Sequence, residues 1–325
     1  MVKDSHPRRG SLAFYPRKRA SRIYPSITTY PSEEKPRVMG FAGYKVAMAH
    51  AVAIDNNKGS NTFGQEIILP VTILECPPMI AIGLRAYKKT AKGLTAFSHV
   101  LTVSDEKIKR KMRVGKFNFE KNLAEIEKNI EKIAKIRIII ATQPSLTGVR
   151  KKKPEVFEIE IVGKDVKENF ALAKQVLGKE IKINDVFKEG ELVDAVAVTK
   201  GKGTQGTVKR FGIKIQNRHA MKKKRHIGTL GPQTPRRVRW TAPMAGQMGF
   251  QTRTELNKRI LKFGNPEEIN PKQGFNRYGI VRSNYVLLEG SIAGSKKRLI
   301  RLRPAIRPTS AKIQPMELRE IVKGG

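Results

Sequence analysis

Six consecutive residues near the middle of the chain have the spacing of a phosphate-cradling loop: Gly201, Lys202, Gly203, Thr204, Gln205 and Gly206. A GxGxxG run that follows a strand-like segment, here ELVDAVAV at 191–198, is how a dinucleotide fold brings backbone amides to a pyrophosphate. That chemistry also needs a helix opening at the last glycine and an acidic residue roughly 20 positions on to hold a ribose. Here the glycines run into TVKRFGIKI, which is strand-like and β-branched, and the next acidic residue is Glu255. A dinucleotide site is rejected. The same glycines, flanked by Lys200, Lys209 and Arg210, suit another task. Missing side chains let a phosphate backbone approach closely, and the cations neutralise it. No GxxxxGK[ST] loop is present, so nucleotide hydrolysis has no support.

Other chemistries find even less. Cys76 is the only cysteine, which excludes an internal disulfide and a thiolate zinc site; a reducing cytoplasm fits this usage. The five histidines, His6, His50, His99, His219 and His226, form no ligand pair, and the last two flank Lys222, Lys223, Lys224 and Arg225, whose charge opposes a metal cation. Acidic residues are missing from the segments rich in Gly, His and cations, so no catalytic triad or carboxylate pair can be placed there. We expect no catalytic residue, no metal and no cofactor.

What remains is charge. The chain of 325 residues carries 65 Lys and Arg against 28 Asp and Glu, a formal net charge of +37. Self-repulsion of that size calls for a polyanion as partner. Three segments hold no acidic residue: 5–32 with six basic residues, 195–254 with fourteen and 290–316 with seven. Such segments order when phosphates neutralise them. An anionic membrane is the competing polyanion, yet no stretch reaches the roughly 18 apolar residues that span one. The basic N-terminus has no apolar segment behind it, so no signal peptide is expected.

The segment 216–254 adds Gly, Pro and the single Trp of the chain to its cations. Arginine forks grip phosphates and stack on bases, and an aromatic tip offers a platform to an unpaired base. Trp240 stands among Arg236, Arg237, Arg239 and Pro243 with no apolar period around it, which favours a tip over a core position. Met244, Met248 and Phe250 read equally well as a small local core or as surface. A duplex-DNA-compacting protein and an RNA-modifying enzyme are the rival readings; the first needs base-tolerant duplex binding, the second a cofactor loop.

The elements that must position these residues follow from hydrophobic period. Prolines in residues 1–36 dictate an extended strap. Short apolar runs (VMGFAGYKVAMAHAVAI, EIILPVTILE, MIAIGLRAY) make 38–101 strand-like, with NNKGSN at 56–61 as a hairpin loop. Phe119, Leu123, Ile126, Ile130 and Ile133 fall at helical steps. IRIIIAT and EVFEIEIV read as strands, and 165–177 as a helix with Asp165 at its N-cap and Gly178 beyond its end. Strand character returns at 191–198, 279–292 and 298–304. Strands that leave and return across an insertion suggest a mainly β chain built on a closed or nearly closed antiparallel barrel.

Four strings then carry a resemblance: GSLAFYPRKRA (10–20), AVTKGKGTQGTVKRFG (197–212), APMAGQMGFQTRTELNKRI (242–260) and YVLLEGSIAGSKKRLI (285–300). Together they resemble large-subunit ribosomal protein three in its archaeal and eukaryotic form. The resemblance implies a six-stranded translation-protein-type β-barrel with an inserted α/β unit and long basic extensions. On that plan 1–36 is a basic extension, 37–103 the first part of the barrel, 104–190 the insertion, and 191–215 barrel strands with the glycine–lysine turn. Residues 216–274 form a basic loop extension, 275–304 the final barrel strands and 305–325 a tail. It further implies a non-enzymatic protein that binds large-subunit rRNA near its 3′ end, promotes early assembly, meets other large-subunit ribosomal proteins, and sends its loop toward the tRNA path at the peptidyl transferase centre. The expected RNA-binding residues are Arg17, Lys18, Arg19, Lys200, Gly201, Lys202, Gly203, Gly206, Lys209 and Arg210. Arg218, Lys222, Lys223, Lys224, Arg225, His226, Arg236, Arg237, Arg239, Trp240, Gln247 and Arg253 continue the set, which ends with Lys296, Lys297 and Arg298. Gln247 matches a glutamine that is methylated in some bacterial relatives.

Overall fold

Alternating and apolar runs of this kind bury one face of a strand and so demand a second layer. A computed structural model of the chain supplies it, describing residues 8–56, 59–102, 106–112, 118–308 and 316–322. Asn57 and Lys58 of the expected hairpin loop, His6 and Lys312 lie outside the described residues.

The chain opens with β1 (Arg37–Val38), β2 (Phe41–Ile54), β3 (Glu66–Glu75), β4 (Met79–Thr90) and β5 (Gly93–Leu101). Helices α1 (Glu106–Lys109) and α2 (Phe119–Lys128) precede β6 (Ile133–Ala141), β7 (Val156–Val162), α3 (Val166–Val176) and β8 (Glu180–Ile181). Then come β9 (Leu192–Val198), β10 (Thr204–Gln205), α4 (Thr207–Phe211), β11 (Gly246–Gln247) and β12 (Thr252–Gly264). The last elements are α5 (Pro266–Ile269), β13 (Tyr285–Glu289), β14 (Leu299–Pro304) and β15 (Glu317–Val322).

Two larger sheets result. In one, β14, β9, β12, β13, β3 and β2 pair in that order, and β14 also pairs β2, which closes a ring of six strands; β15 adds to the free edge of β2. The other runs β1, β7, β6, β4, β5, with β8 on β4. The fold is mainly β, as expected. Its parts are distributed differently from the sequence plan. β4 and β5 join β6 and β7 in the second sheet, so the ring takes only β2 and β3 from residues 37–103. β12, placed by the plan in the basic loop extension, is a ring strand; its polar TRTELNK half hides the alternation. Within 305–325, Glu317–Val322 pairs β2 as a strand.

By contact the chain divides into two units, Val198–Arg253 with the described part of Met1–Ile23, and Tyr24–Ala197 with Thr254–Gly325. The second unit holds both sheets and one main core, in which Phe41, Leu74, Val193 and Leu302 of the ring cluster with Ile138, Ile159, Phe187 and Ile126. Ile126 is the inward residue of the amphipathic α2, whose period breaks at Ile130 before β6 begins. α3 matches its expected span, and Gly178 takes φ +79° just beyond it. Asp165 holds the N-cap position without a side-chain cap hydrogen bond.

Several buried polar groups in this unit are paired, although Arg137 Nε, Asn169 Oδ1, Asn257 Oδ1 and Arg301 Nε have no partner among the described residues. The Glu75 carboxylate accepts from the Arg282 and Ser283 amides at 2.6 and 2.9 Å, from the Gly148 amide at 3.2 Å, and from the Tyr278 hydroxyl. Arg301 is 2% exposed and donates to the carbonyls of Pro25 at 3.1 Å and Glu158 at 2.7 Å. It thereby fixes the strap at 24–30 to the two sheets.

Candidate nucleic-acid interface

The first unit is where the candidate residues collect, and its framework is backbone. Residues 199–205 and 246–251 run as an irregular antiparallel clasp. The Thr199 amide donates to the Gln251 carbonyl at 2.9 Å, Lys202 to Met248 at 3.0 Å, and Met248 to Gly203 at 2.9 Å. Thr204 and Gln205 of β10 face Gln247 and Gly246 of β11. The N-terminal arm is laced to this clasp by the Ala20 amide, which donates to the Phe250 carbonyl at 2.8 Å, and by Arg8, which donates to the Thr241 carbonyl at 3.1 Å.

Two glycines make the clasp possible. Gly249 lies at φ +70°, and a β-carbon there would overlap the Lys200 carbonyl oxygen. Gly203 lies at φ +67° in open space. Gly201 and Gly206 have ordinary backbone and room for a side chain, so the fold itself does not require them to be glycine.

Contrary to the sequence expectation, TVKRF after Gly206 is a helical turn, α4, with Gly206 at its N-cap. Gly212 closes it at φ +64°, and Phe211, buried, holds it down against local strand propensity. The dinucleotide reading still lacks its acidic residue, since none stands between Asp194 and Glu255.

Cations then stack around Phe211. The Arg17 guanidinium lies 4.5 Å from the Phe211 ring centre and 5.1 Å from that of Tyr15, and Arg210 lies 5.1 Å from Phe211. Arg210 is held by its donations to the carbonyls of Gln247 at 3.1 Å and Met244 at 2.8 Å. Arg253 lies over Phe14 at 4.6 Å and donates to Gln251 Oε1 at 3.1 Å. Burial and the neighbouring Arg17 lower the pKa of both Arg210 and Arg253. The described residues of this unit include no Asp or Glu, so like charges are held together without a counter-charge.

Beside them lies a cavity of about 300 Å³, walled by Arg17, Lys200, Lys202, Arg210, Gln247 and Gln251. Five of these six residues are sequence candidates; Gln251 is the addition. The Gln247 amide folds back to donate to the carbonyls of Met248 and Gly249 at 3.2 and 3.0 Å. Sequence reasoning also missed Phe211 and Tyr15, the aromatic ledge for Arg17, because their partnership joins segments almost two hundred residues apart.

The other candidates lie outside this cluster. Lys18, Arg19 and Lys209 are exposed in the same unit. Arg218, Lys222, Lys223, Lys224, Arg225 and His226 sit on an exposed loop turned by Met221 and Lys222 at positive φ. Arg236, Arg237 and Arg239 are exposed, and Trp240 is 68% exposed. Met244 is exposed and Met248 and Phe250 only half-buried, so these three form no local core. In the second unit Lys296 and Lys297 are exposed. Arg298, expected at the surface, is buried at 9% exposure with its guanidinium on Ser295 Oγ at 3.3 Å, since it directly precedes the ring strand β14. Among the described residues no His/Cys/Asp/Glu group could hold a metal ion, and no helix is long and apolar enough to cross a membrane.

Comparison with known proteins gives one answer along the chain. Residues 1–322 match the family described as Ribosomal protein L3. A relative from Methanopyrus kandleri, named large ribosomal subunit protein uL3, is 52% identical over 309 residues, covering 93% of this chain and 86% of its own. Proteins of the same name from Methanocaldococcus jannaschii and Methanosphaera stadtmanae are 48% and 46% identical, covering 98% and 99% of this chain and 96% and 98% of theirs. The basic, glycine-bearing clasp and the ring of strands thus belong to one known kind of molecule: the chain is a member of the ribosomal protein L3 family.

Proposed function

We propose that this chain binds large-subunit rRNA through its acid-free unit and helps that RNA to fold early in assembly of the subunit, near the 3′ end of the RNA. Membership of a ribosomal protein family makes it a structural component of the ribosome and not an enzyme. The observation that carries the RNA reading is a lack of anions. Six basic residues in 8–23 and fourteen in 198–253 share one unit with no described carboxylate. Folded RNA supplies that missing charge at high density, and neutralising its phosphates releases counterions.

In this reading Lys200, Lys202, Lys209, Arg210 and the cations at 222–225 and 236–239 clamp phosphates. Gly201 and Gly206 leave room for the RNA backbone. Trp240 stacks at the tip of a loop that reaches the tRNA path at the peptidyl transferase centre. Other large-subunit ribosomal proteins are its neighbours, its place is the cytoplasmic ribosome, and no membrane is involved. Co-sedimentation tests this: the chain stays with large subunits through a high-salt wash. Its complete loss to the free fraction, or equal affinity for duplex DNA and rRNA fragments, would overturn the reading.

A further inference from the structure

The cavity beside Phe211 is built more specifically than a phosphate-attracting surface needs. Guanidiniums from two distant segments, Arg17 and Arg210, meet there with the ammonium-bearing Lys200 and Lys202. Two nitrogens on residues that line it, Arg17 Nε and Gln251 Nε2, are buried without a hydrogen-bond partner. Native proteins seldom leave buried donors idle, because such a group has given up its water without gaining a partner. Both nitrogens are donors, and the described residues of this unit include no carboxylate to accept from them.

We propose that this cavity seats one phosphodiester group of an RNA strand, held by the Arg17 and Arg210 guanidiniums and by the Gln251 amide. Guanidinium N–H groups make charge-assisted hydrogen bonds to phosphate oxygens, and Arg17 still has its Nε–H to give, while Arg210 already uses Nε and Nη1 on carbonyls. A volume of about 300 Å³ also leaves room for part of the attached nucleoside. The inference rests on the rRNA-binding reading and sharpens it, separating one discrete seat from the many exposed cations that neutralise phosphates diffusely. Gln251 is the residue that defines it. Its Oε1 is taken by Arg253 at 3.1 Å, which leaves only its donor side for a ligand.

The test uses the full chain and an rRNA fragment that the unaltered protein binds. Gln251→Glu puts a carboxylate among Arg17, Arg210 and Arg253. It is expected to raise the melting temperature of the free protein and to weaken RNA binding roughly ten-fold or more. A merely structural glutamine would not move the two readouts in opposite directions. Gln251→Leu removes the donor without adding charge; it should weaken RNA binding and leave the salt dependence alone. Arg17→Gln should weaken binding and lower the salt slope by about one. With inorganic phosphate as probe, added at constant ionic strength, the melting temperature of the unaltered protein rises and that of Arg17→Gln does not. Unchanged affinity in both Gln251 variants, with the unaltered protein still binding steeply with salt, overturns the seat and leaves the broader reading standing. Failure of the unaltered protein to bind rRNA at all removes the broader reading itself.

Discussion

Trp240 meets Tyr15 edge to face, with ring centres 5.2 Å apart and planes at 75°. Pairs of this geometry are worth about 0.5–1.5 kcal/mol beyond the area they bury. The contact ties the N-terminal arm to the basic loop, and Trp240 is nonetheless 68% exposed, so most of its surface stays free. The chain has a single Trp, so its fluorescence reports this pair alone. Tyr15→Leu is expected to shift the emission to the red and raise acrylamide quenching, with far-ultraviolet circular dichroism unchanged. An identical emission spectrum would show that the pair does not persist in solution.

The glycines of the clasp divide into two kinds. Gly249→Ala forces a side chain into positive φ and against the Lys200 carbonyl, so it should destabilise the free protein by about 1–3 kcal/mol. Gly206 has ordinary backbone and empty space around it. Gly206→Ala should therefore leave the free protein unchanged within about 0.5 kcal/mol. Where an RNA backbone packs against that space, the same variant loses rRNA affinity. Denaturation curves and RNA titrations on the two variants separate a glycine kept for the fold from one kept for the ligand.

Alkaline stability follows from the second unit. Burial, and then the adjacent Glu155 carboxylate, push the Tyr44 hydroxyl pKa well above its usual value; burial and Glu75 do the same to Tyr278. The Cys76 thiol is raised by burial and by Glu75. Each group stays protonated when folded and ionises more readily when unfolded. Their contribution is therefore whole below the unfolded pKa and is lost as pH rises beyond it. Unfolding free energy should begin to fall near about pH 8.5 and fall faster above about pH 10, at about 1.4 kcal/mol per pH unit for each group. Cys76→Ala should remove the first stage. A flat stability from pH 8 to 11 would contradict the burial of these groups.

Much of this architecture was legible where local chemistry decides it. The period of Phe119, Leu123 and Ile126 announces α2, and the run EIILPVTILE is β3 to the residue. The clustering of Lys200, Lys202 and Arg210 follows from their closeness in the chain. What stayed hidden depends on long-range partners. The pattern of MIAIGLRAY does not reveal which sheet receives β4. Thr207 and Val208 look like strand residues and become helical because Phe211 is buried and Gly212 can take positive φ. Arg298 and Arg301 read as parts of a cationic arm, yet both are buried, Arg301 on backbone carbonyls of distant segments. Net charge per segment says how many cations a chain has, and only packing says which of them face outward. Gln251, neutral and ordinary in composition, carries no signal in the sequence, because only the fold brings Arg17 and Arg253 to it.

The salt dependence of rRNA binding bears most directly on an interface made of acid-free segments. If roughly ten phosphates are neutralised, log affinity for a large-subunit rRNA fragment should fall against log salt with a slope of about −7 to −9. A slope near zero would mean that the cations of this unit do not meet phosphate, and the account would be wrong.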